Sequence, residues 1–450
     1  MVSAKRSFVI PSRRMASFAA AALALAPIAE ARANGRFPAA NQVVHSPTDP
    51  NFFVLRTTFG LLVTHDAGIT WDWVCESAVG YAGTLDPPIG LMNGRNIVVA
   101  GEGLMTSSNA ACDWAFVPSY EDLAFADVVV HPDAPSSAIA LQSNYRGADD
   151  AGAAVFDDLL VGTTDDGAHW APLGPALDQH LLLETVEVAR SDPKRVYVSG
   201  FRGAADTLQA FLLVSNDNGA TWAAKPVPLD PATERTPFIS AVDPANANRI
   251  YVRTGGGKAS RLLVTDDAGD SFRSVFEGPP MLGFALTDDG AKVYVGGTNG
   301  LFEASTTDLV FHQKSSIQVQ CLTSVGPTLY ACSNEESGFV LGASTDDGAT
   351  FKPLLHLKTV RGPLSCAAGS SAATCADSWP ALRDTFGITS GDAGSSGDGG
   401  TDAGADAGAV PPATSSSGCG CTAATSAFPT GLASIGLLVG AAALRRRRRA

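Results

Sequence analysis

Short apolar segments with polar residues at alternating positions recur along most of the chain. They are rich in Val, Ile and Leu and end at Asp-Pro, Asp-Gly or similar turns, as in ADVVVHP, RVYVSGF and DLLVGT. A period of two, β-branched residues and Gly or Pro at the ends are typical of short β-strands rather than helices. The pattern therefore predicts an all-β protein.

A second pattern follows every third predicted strand. It has the form Ser/Thr-x-Asp-x-Gly-x-x-Trp/Phe, and we refer to each copy as a box. The five full copies begin at Thr64, Thr163, Ser215, Thr265 and Ser344. Two degenerate copies, SSNAACDW at Ser107–Trp114 and STTDLVF at Ser305–Phe311, fill the gaps between them. The third residues of successive copies lie 39 to 56 residues apart, a spacing that suits a propeller blade of about 40–50 residues.

Each repeat contains four predicted strands, with the box on the turn between the third and the fourth. Seven such repeats predict one ring of seven four-stranded blades, a β-propeller that we assign to residues 34–358. Residues 359–390, which carry two cysteines, are predicted to form a C-terminal cap.

The box suits a structural turn better than a catalytic group. Its Asp can accept backbone N–H bonds, its Gly can adopt positive φ, and its aromatic residue can pack between blades. A catalytic carboxylate is needed once, whereas this one is repeated around the ring. We therefore predict structural roles for the box aspartates Asp66, Asp165, Asp217, Asp267 and Asp346.

The boxes resemble Asp-boxes, also called BNR repeats, of the sialidase and sortilin-like superfamily. The resemblance implies a propeller with boxes on its outer turns, but its members differ in function. A sialidase-like enzyme needs an arginine triad, a Tyr nucleophile with a Glu partner, and an Asp. Arg36-Phe37-Pro38 matches two letters of that family's Arg-Ile-Pro motif, and no other Arg or Glu lies in a recognisable sialidase context. We therefore expect a non-catalytic binding or structural module for a glycan, peptide or envelope partner, without cofactor or metal, with a sialidase-like or other secreted glycoside hydrolase as the alternative.

The N-terminus reads as an export signal. Lys5, Arg6, Arg13 and Arg14 precede an apolar stretch at 16–26, and Ala31-Arg32-Ala33 suits a cleavage site. Residues 1–33 are therefore predicted to be removed, by a Sec or a twin-arginine route.

The C-terminus carries three parts in a specific order. Cys419 and Cys421 come first, then an apolar run at 428–444 long enough for a marginal membrane helix, then arginines 445–449. Residues 418–450 thus resemble the MYXO-CTERM sorting signal of myxobacterial exported proteins. The resemblance implies a membrane sorting protease as partner and anchoring at the outer membrane or cell surface through the Cys region. A plain tail anchor is the alternative.

A segment of different composition lies between the predicted propeller with its cap and the C-terminal sorting signal. Residues 391–417 are rich in Gly, Asp and Ser, with no large apolar residue beyond Val410, which predicts a disordered linker. The net charge is −14 for the whole chain, and about −23 for residues 34–444 once the basic ends are set aside. Such an acidic body does not suit nucleic-acid binding, and we expect a monomer.

The six remaining cysteines, an even number in an exported chain, predict disulfides. From local spacing we expect Cys321 to pair with Cys332 across a hairpin. The same reasoning pairs Cys366 with Cys375, which leaves Cys75 with Cys112.

A glycan or protein ligand is predicted to bind on the face opposite the boxes. In a four-stranded blade, the loops between strands two and three share that face with the loops between blades. We expect the longer loops, Asn144–Asp157, Gly200–Gln209 and Gly255–Arg261, to hold the ligand through aromatic and cationic side chains. The candidate ligand-binding residues are Tyr145, Arg146, Phe201, Arg202, Lys258 and Arg261.

Overall fold

The computed structural model describes residues 37–82, 85–204 and 207–388. Within these residues, seven antiparallel sheets each contain four strands in sequence order. The innermost strands of successive sheets contact each other, and that of the seventh contacts that of the first, so the sheets close into a ring. The prediction of an all-β, seven-bladed propeller is confirmed.

The first four blades occupy residues 40–227. Blade 1 contains β1 (Ala40–His45), β2 (Phe53–Thr57), β3 (Gly60–Thr64) and β4 (Asp72–Val74). Blade 2 contains β5 (Ile89–Leu91), β6 (Ile97–Gly101), β7 (Gly103–Ser107) and β8 (Ala115–Phe116). Blade 3 contains β9 (Phe125–Val130), β10 (Ala138–Ala148), β11 (Ala154–Thr163) and β12 (Ala171–Pro172). Blade 4 contains β13 (Leu182–Val188), β14 (Val196–Arg202), β15 (Gln209–Ser215) and β16 (Ala223–Val227).

The last three blades and most of the helical turns follow. Blade 5 contains β17 (Thr236–Val242), β18 (Ile250–Gly255), β19 (Ser260–Thr265) and β20 (Arg273–Gly278). Blade 6 contains β21 (Met281–Leu286), β22 (Lys292–Gly297), β23 (Gly300–Ser305) and β24 (His312–Ser315). Blade 7 contains β25 (Cys321–Val325), β26 (Thr328–Cys332), β27 (Leu341–Ser344) and β28 (Lys352–Leu355). The α-helices are α1 (Glu76–Val79) and α2 (Trp379–Thr385), and 3-10 turns occur at Asn93–Arg95, Glu335–Ser337, Leu357–Thr359 and Ser371–Asp377.

The core lies between the blades. The middle strands of the blades supply most of the buried residues because both of their faces meet a neighbouring sheet. Each fourth strand starts one residue after the box aromatic, as predicted. That aromatic packs towards the preceding blade: Trp170 lies in the cluster shared with blade 2, and Trp222 in the cluster shared with blade 3.

Side chains on the innermost strands tie each blade to the next. The Gln42 side chain bonds both backbone groups of Ile89. Asp127 accepts the N–H of Val186 at 3.0 Å, and the Thr323 hydroxyl donates to the carbonyl of Val43 at 3.0 Å. The last of these bonds joins blade 7 to blade 1, so polar side chains help to close the ring at its centre.

The segment after blade 7 closes the ring at its rim. Residues 361–364 lie parallel to β4, with N–H···O bonds from Trp73 to Gly362 at 2.7 Å and from Leu364 to Trp73 at 2.8 Å. Arg361 forms an ion pair with Asp72. The C-terminal end of the ring is thereby joined to the outer edge of blade 1 by a short parallel bridge.

Two of the three predicted disulfides are wrong. Cys321–Cys332 joins β25 and β26 as expected. The other four cysteines pair as Cys75–Cys375 and Cys112–Cys366, with sequence separations of 300 and 254. The local-spacing argument failed because the cap folds back over blades 1 and 2. There the Ala372 N–H donates to the Cys112 carbonyl at 3.0 Å.

Several sequence predictions concern residues beyond those described. The export signal 1–33, the linker 391–417 and the sorting signal 418–450, with its apolar run at 428–444, lie outside the described residues. Among the helices at 37–82, 85–204 and 207–388, none is long and apolar enough to cross a membrane.

Candidate functional site

The polar groups of each full box are hydrogen-bonded within the turn itself. In the third blade, the Thr163 hydroxyl donates to the Asp165 carboxylate at 2.8 Å, and the His169 N–H donates to the same carboxylate at 3.0 Å. The Trp170 indole donates to the Gly167 carbonyl at 3.1 Å. The side-chain bond from His169 lowers the pKa of Asp165 to about 2. Hydrogen bonds from Ser271 and Thr350 likewise lower the pKa values of Asp267 and Asp346 to about 2.

One conformational feature of the box was missed. The Gly has positive φ as predicted, but the residue before it does too. Asp166 has a φ of 59° and Asn218 has the same value. Asp and Asn tolerate this left-handed region better than most residues, and their presence in some boxes was an available signal.

The degenerate copies differ in how much of the turn they keep. In blade 2, Asn109 replaces Asp and still accepts the Asp113 N–H at 2.8 Å. Ala111 stands in the Gly position with a φ of 75°. In blade 6, the Thr307 N–H bonds the Ser305 hydroxyl, but no side-chain carboxylate bridges the turn in the way that Asp165 does.

The predicted ligand-binding residues lie on the neighbouring blades 3, 4 and 5. The loop predicted at Asn144–Asp157 is mostly hairpin, because β10 continues to Ala148 and β11 begins at Ala154. On this hairpin the Tyr145 ring lies 5.6 Å from that of Phe156, and Arg146 pairs with Asp157 at 3.1 Å.

The other four candidates have different environments. The Arg202 guanidinium lies 5.0 Å from the ring centre of Phe211. Lys258 is exposed. Arg261 makes a bidentate ion pair with Glu234, with both N···O distances at 2.7 Å. Phe201 lines the cavity described below.

Glu234, which sequence reasoning missed, explains the role of Arg261. Its side chain is 2% exposed, and it also accepts bonds from the Asp230 N–H and the Thr254 hydroxyl. Burial alone would raise the pKa of Glu234, but these bonds, above all from Arg261, bring it below the usual range. Arg261 is therefore held by a structural ion pair rather than presented to a ligand.

A cavity of about 430 Å³ opens on the face opposite the boxes, beside the central channel. It lies where the loops entering blades 2 and 3 meet the first strands of blades 4 and 5. Its wall is mainly apolar and includes Phe125, Phe201 and Phe238, while Glu102 and Glu184 supply carboxylates. An apolar pocket with a few polar groups is the usual form of a ligand site.

Three carboxyl groups, here called the channel carboxyls, lie on innermost strands near this cavity, and one of them, Glu184, lines it. Burial raises the pKa of Asp127 to about 7 and, together with the nearby charge of Asp127, raises those of Glu184 and Glu187 to about 8. All three side chains are half-buried on innermost strands. Functional sites often contain such perturbed groups.

A larger cleft, of about 840 Å³, lies on the box face between blades 3 and 4. Asp165 and Asp217 lie on its wall, but both carboxylates are occupied by their own turns. His131 also lines it, with Nδ1 accepting the Asp133 N–H at 3.2 Å. Although this cleft is larger, we favour the cavity opposite the boxes because it is lined by Glu184, a carboxyl group with a raised pKa and no hydrogen bond or ion pair among the described residues.

Metal chemistry has no assembled ligand set in the part of the chain that the structure describes. No group of three or more His, Cys, Asp or Glu side chains there is arranged to hold a metal ion. The channel carboxyls can exchange protons and form ion pairs.

Comparison with known proteins finds similarity to solved structures alone and assigns no family. No family model matches the chain, and no curated protein does. An ancestral GH74 enzyme aligns with 70% of this chain at 15% identity and a TM-score of 0.49. The alignment covers 48% of that enzyme, so the chain spans about half its length.

Two further solved structures match over most of their own length. YCF48 from Cyanidioschyzon merolae aligns with 69% of this chain and 94% of its own, at 16% identity and a TM-score of 0.44. The Cps50 (Swd1) β-propeller domain from Myceliophteria thermophila aligns with 67% and 95%, at 10% identity and a TM-score of 0.43. At such low identity, none of these similarities assigns a substrate or partner to this chain.

Proposed function

We propose that this protein is an exported β-propeller, displayed at the cell surface, that binds a glycan, peptide or envelope partner without transforming it. The observation that carries the proposal is the cavity opposite the boxes. Its wall combines aromatic side chains with carboxyl groups, such as that of Glu184, that form no hydrogen bonds within turns or strands.

Export and display are inferred from the ends of the chain. The signal-like N-terminus, the MYXO-CTERM-like C-terminus and the Asp-box resemblance of the body all suit a secreted propeller. The three disulfides are typical of a protein that matures in an oxidising compartment.

Mass spectrometry of cell-surface material tests the processing. The mature protein should lack residues 1–33 and the terminal arginines, and be retained through the Cys419/Cys421 region. An intact 445–449 segment in that material would favour the plain tail anchor instead.

The binding site can be tested by filling each concavity in turn. Ala126 lines the cavity opposite the boxes, and Ala134 lines the box-face cleft. We expect full-length protein to bind a subset of glycan and peptide arrays, and Ala126→Phe to abolish that binding. Ala134→Phe is the matched control and should retain it. Loss with Ala134→Phe alone would move the site to the box face.

One observation favours a second candidate, a glycoside hydrolase. A carboxyl whose pKa is about 8, such as that of Glu184, is protonated at neutral pH and suits a general acid. Fluorogenic glycosides test this candidate. Turnover that is lost in Glu184→Gln and kept in Glu187→Gln would establish it and refute the non-catalytic proposal.

A further inference from the structure

Glu184 has an unusual position on its strand. The register between β13 and β14 shifts between Leu183 and Thr185, so Glu184 is the extra residue of a β-bulge. A bulge turns a side chain away from the regular alternation and often occurs next to a binding site. The equivalent shifts in blades 1, 3, 5 and 6 leave Asn41, Ala126, Ser240 and Leu282 as the extra residues. Glu184 is thus the acidic member of this set.

The Glu184 carboxyl has no compensating partner among residues 37–82, 85–204 and 207–388. Burial and the charge of Asp127 act on it, but no hydrogen bond or ion pair offsets them. The neighbouring carboxylate of Asp127 is better stabilised, because it accepts hydrogen bonds from the N–H groups of Val128 and Val186. A half-buried carboxyl without a partner is unfavourable in its charged form unless a cation joins it.

The walls around Glu184 suit the apolar part of such a cation. Leu182, Phe201 and Phe238 line the same cavity, and aromatic faces attract cations as well as alkyl groups. The outer face of the cavity carries further negative charge from Glu102 and Asp86. The chain as a whole has a net charge of −14, which also favours an approaching cation.

We propose that this cavity receives a primary ammonium group, such as the lysine side chain of a peptide, which forms an ion pair with Glu184 while its alkyl stem lies along Phe201 and Phe238. The inference rests on the proposed function and specifies its ligand: a lysine-bearing peptide rather than a neutral glycan.

The charged groups around Glu184 determine how binding depends on pH. Asp127 on β9 adds negative charge, Glu187 lies three residues further along β13 outside the cavity, and Asp158 on β11 lies across from Ser143, which lines the cavity. Two cations are already engaged. Arg56 bonds Asn41 and the Asp86 carbonyl, and Arg253 bonds the Met281 carbonyl with its guanidinium 5.0 Å from the Phe238 ring centre.

Because the Glu184 carboxyl is mostly protonated at pH 7, an arriving ammonium group must displace its proton. Binding should therefore release close to one proton at pH 7. It should tighten about tenfold from pH 6 to pH 7, as expected when one carboxyl must ionise.

Calorimetry of the full-length protein with Nα-acetyl-lysine methylamide tests the proposal. The neutral comparison probe is Nα-acetyl-norleucine methylamide. Titrations at pH 7 in phosphate and in Tris buffer, which differ in ionisation enthalpy, measure proton release. We expect the lysine probe to bind at least tenfold more tightly than the norleucine probe.

Two carboxyl variants separate the site from its surroundings. Glu184→Gln should weaken lysine-probe binding at least tenfold at pH 8 and abolish proton release. Glu187→Gln is the matched control, because Glu187 has a similarly raised pKa on the same strand but does not line the cavity. It should bind like the wild type. Ala126→Phe, which blocks the cavity sterically, provides a second loss-of-binding variant if Glu184→Gln folds poorly.

The failure of this inference can be told apart from failure of the proposed function. Equal binding of both probes, unchanged affinity in Glu184→Gln, or absent proton release would overturn the ammonium site. If an array ligand still bound and Ala126→Phe abolished that binding, the binding function would stand with a different ligand. If neither probe nor array ligand bound the wild type, both proposals would fail.

Discussion

The box aspartates and the channel carboxyl groups have pKa values shifted in opposite directions. Asp217 accepts bonds from Ser215 and from both the N–H and the hydroxyl of Thr221, which together lower its pKa. Glu187 sits half-buried without an ion pair, and burial raises its pKa to about 8. The same functional group thus stabilises a turn in one place and remains open to a ligand or a proton in another.

Replacing a box aspartate should affect stability and leave binding intact. We expect Asp217→Ala to lower the melting temperature, because the turn loses three hydrogen bonds. Asp308→Ala is the matched control from the degenerate blade 6 copy, where the carboxylate accepts only a local bond from the Val310 N–H, and its effect should be smaller. A variant that kept its melting temperature but lost array binding would contradict the structural role.

The box aspartates and the channel carboxyls also predict opposite dependences of the free energy of unfolding on pH. Box aspartates have lowered pKa values, so their contribution is complete above about pH 4, and is lost as the pH falls towards 2. The channel carboxyls have raised values, so the folded state favours their protonated forms. Their ionisation lowers the free energy of unfolding as the pH rises from about 4 through 8.

Glu187→Gln tests the alkaline limb. The variant cannot ionise at that position, so it should gain stability relative to the wild type as the pH rises from 5 to 9. Denaturant unfolding of both proteins at several pH values measures the difference. Parallel curves for the two proteins would show that Glu187 is not penalised by burial in the folded state.

At the scale of the elements, the strands followed from the sequence because their pattern is local. Period-two alternation located the strands, and the boxes located every turn between third and fourth strands. The β-bulge at Glu184 was missed, since it breaks that alternation: Glu184 and Thr185 are both only half-buried between the buried Leu183 and Val186. The Arg261–Glu234 pair was missed because no local pattern joins residues 27 apart.

The blade 2 box offers a test of turn geometry. Ala111 occupies the Gly position with a φ of 75°, where a side chain is strained. Ala111→Gly should therefore raise the free energy of unfolding by about 0.5–1 kcal/mol. Ala100→Gly in strand β6 is the control and should lower it by about the same amount. Destabilisation by Ala111→Gly would show that the buried methyl group matters more than the backbone conformation.

At the scale of the whole molecule, the ring is held together by contacts that are distant in sequence. Seven blades could be counted from seven boxes, but the closure could not be predicted. The parallel bridge on blade 1 and the disulfides Cys75–Cys375 and Cys112–Cys366 join residues more than 250 positions apart. Such pairings depend on the completed ring, which no local spacing encodes.

Because they help to close the ring, the long-range disulfides should stabilise the fold more than Cys321–Cys332 does. The loop-entropy relation gives about 6 kcal/mol for the loop closed by Cys75–Cys375 and about 3 kcal/mol for the short one closed by Cys321–Cys332. Their sequence separations are 300 and 11. Denaturant unfolding of the corresponding double Cys→Ser variants measures the difference. A larger loss for Cys321–Cys332 would contradict a clamping role for the cap.

The claim that this propeller binds its partner opposite the boxes can be tested most directly by hydrogen exchange. Full-length protein would be compared with and without the strongest ligand from the arrays. We expect slower exchange at residues 85–88, 124–126, 182–184 and 236–238, which border the cavity. Slower exchange at the box turns 163–170 and 215–222 instead, with these segments unchanged, would contradict the claim.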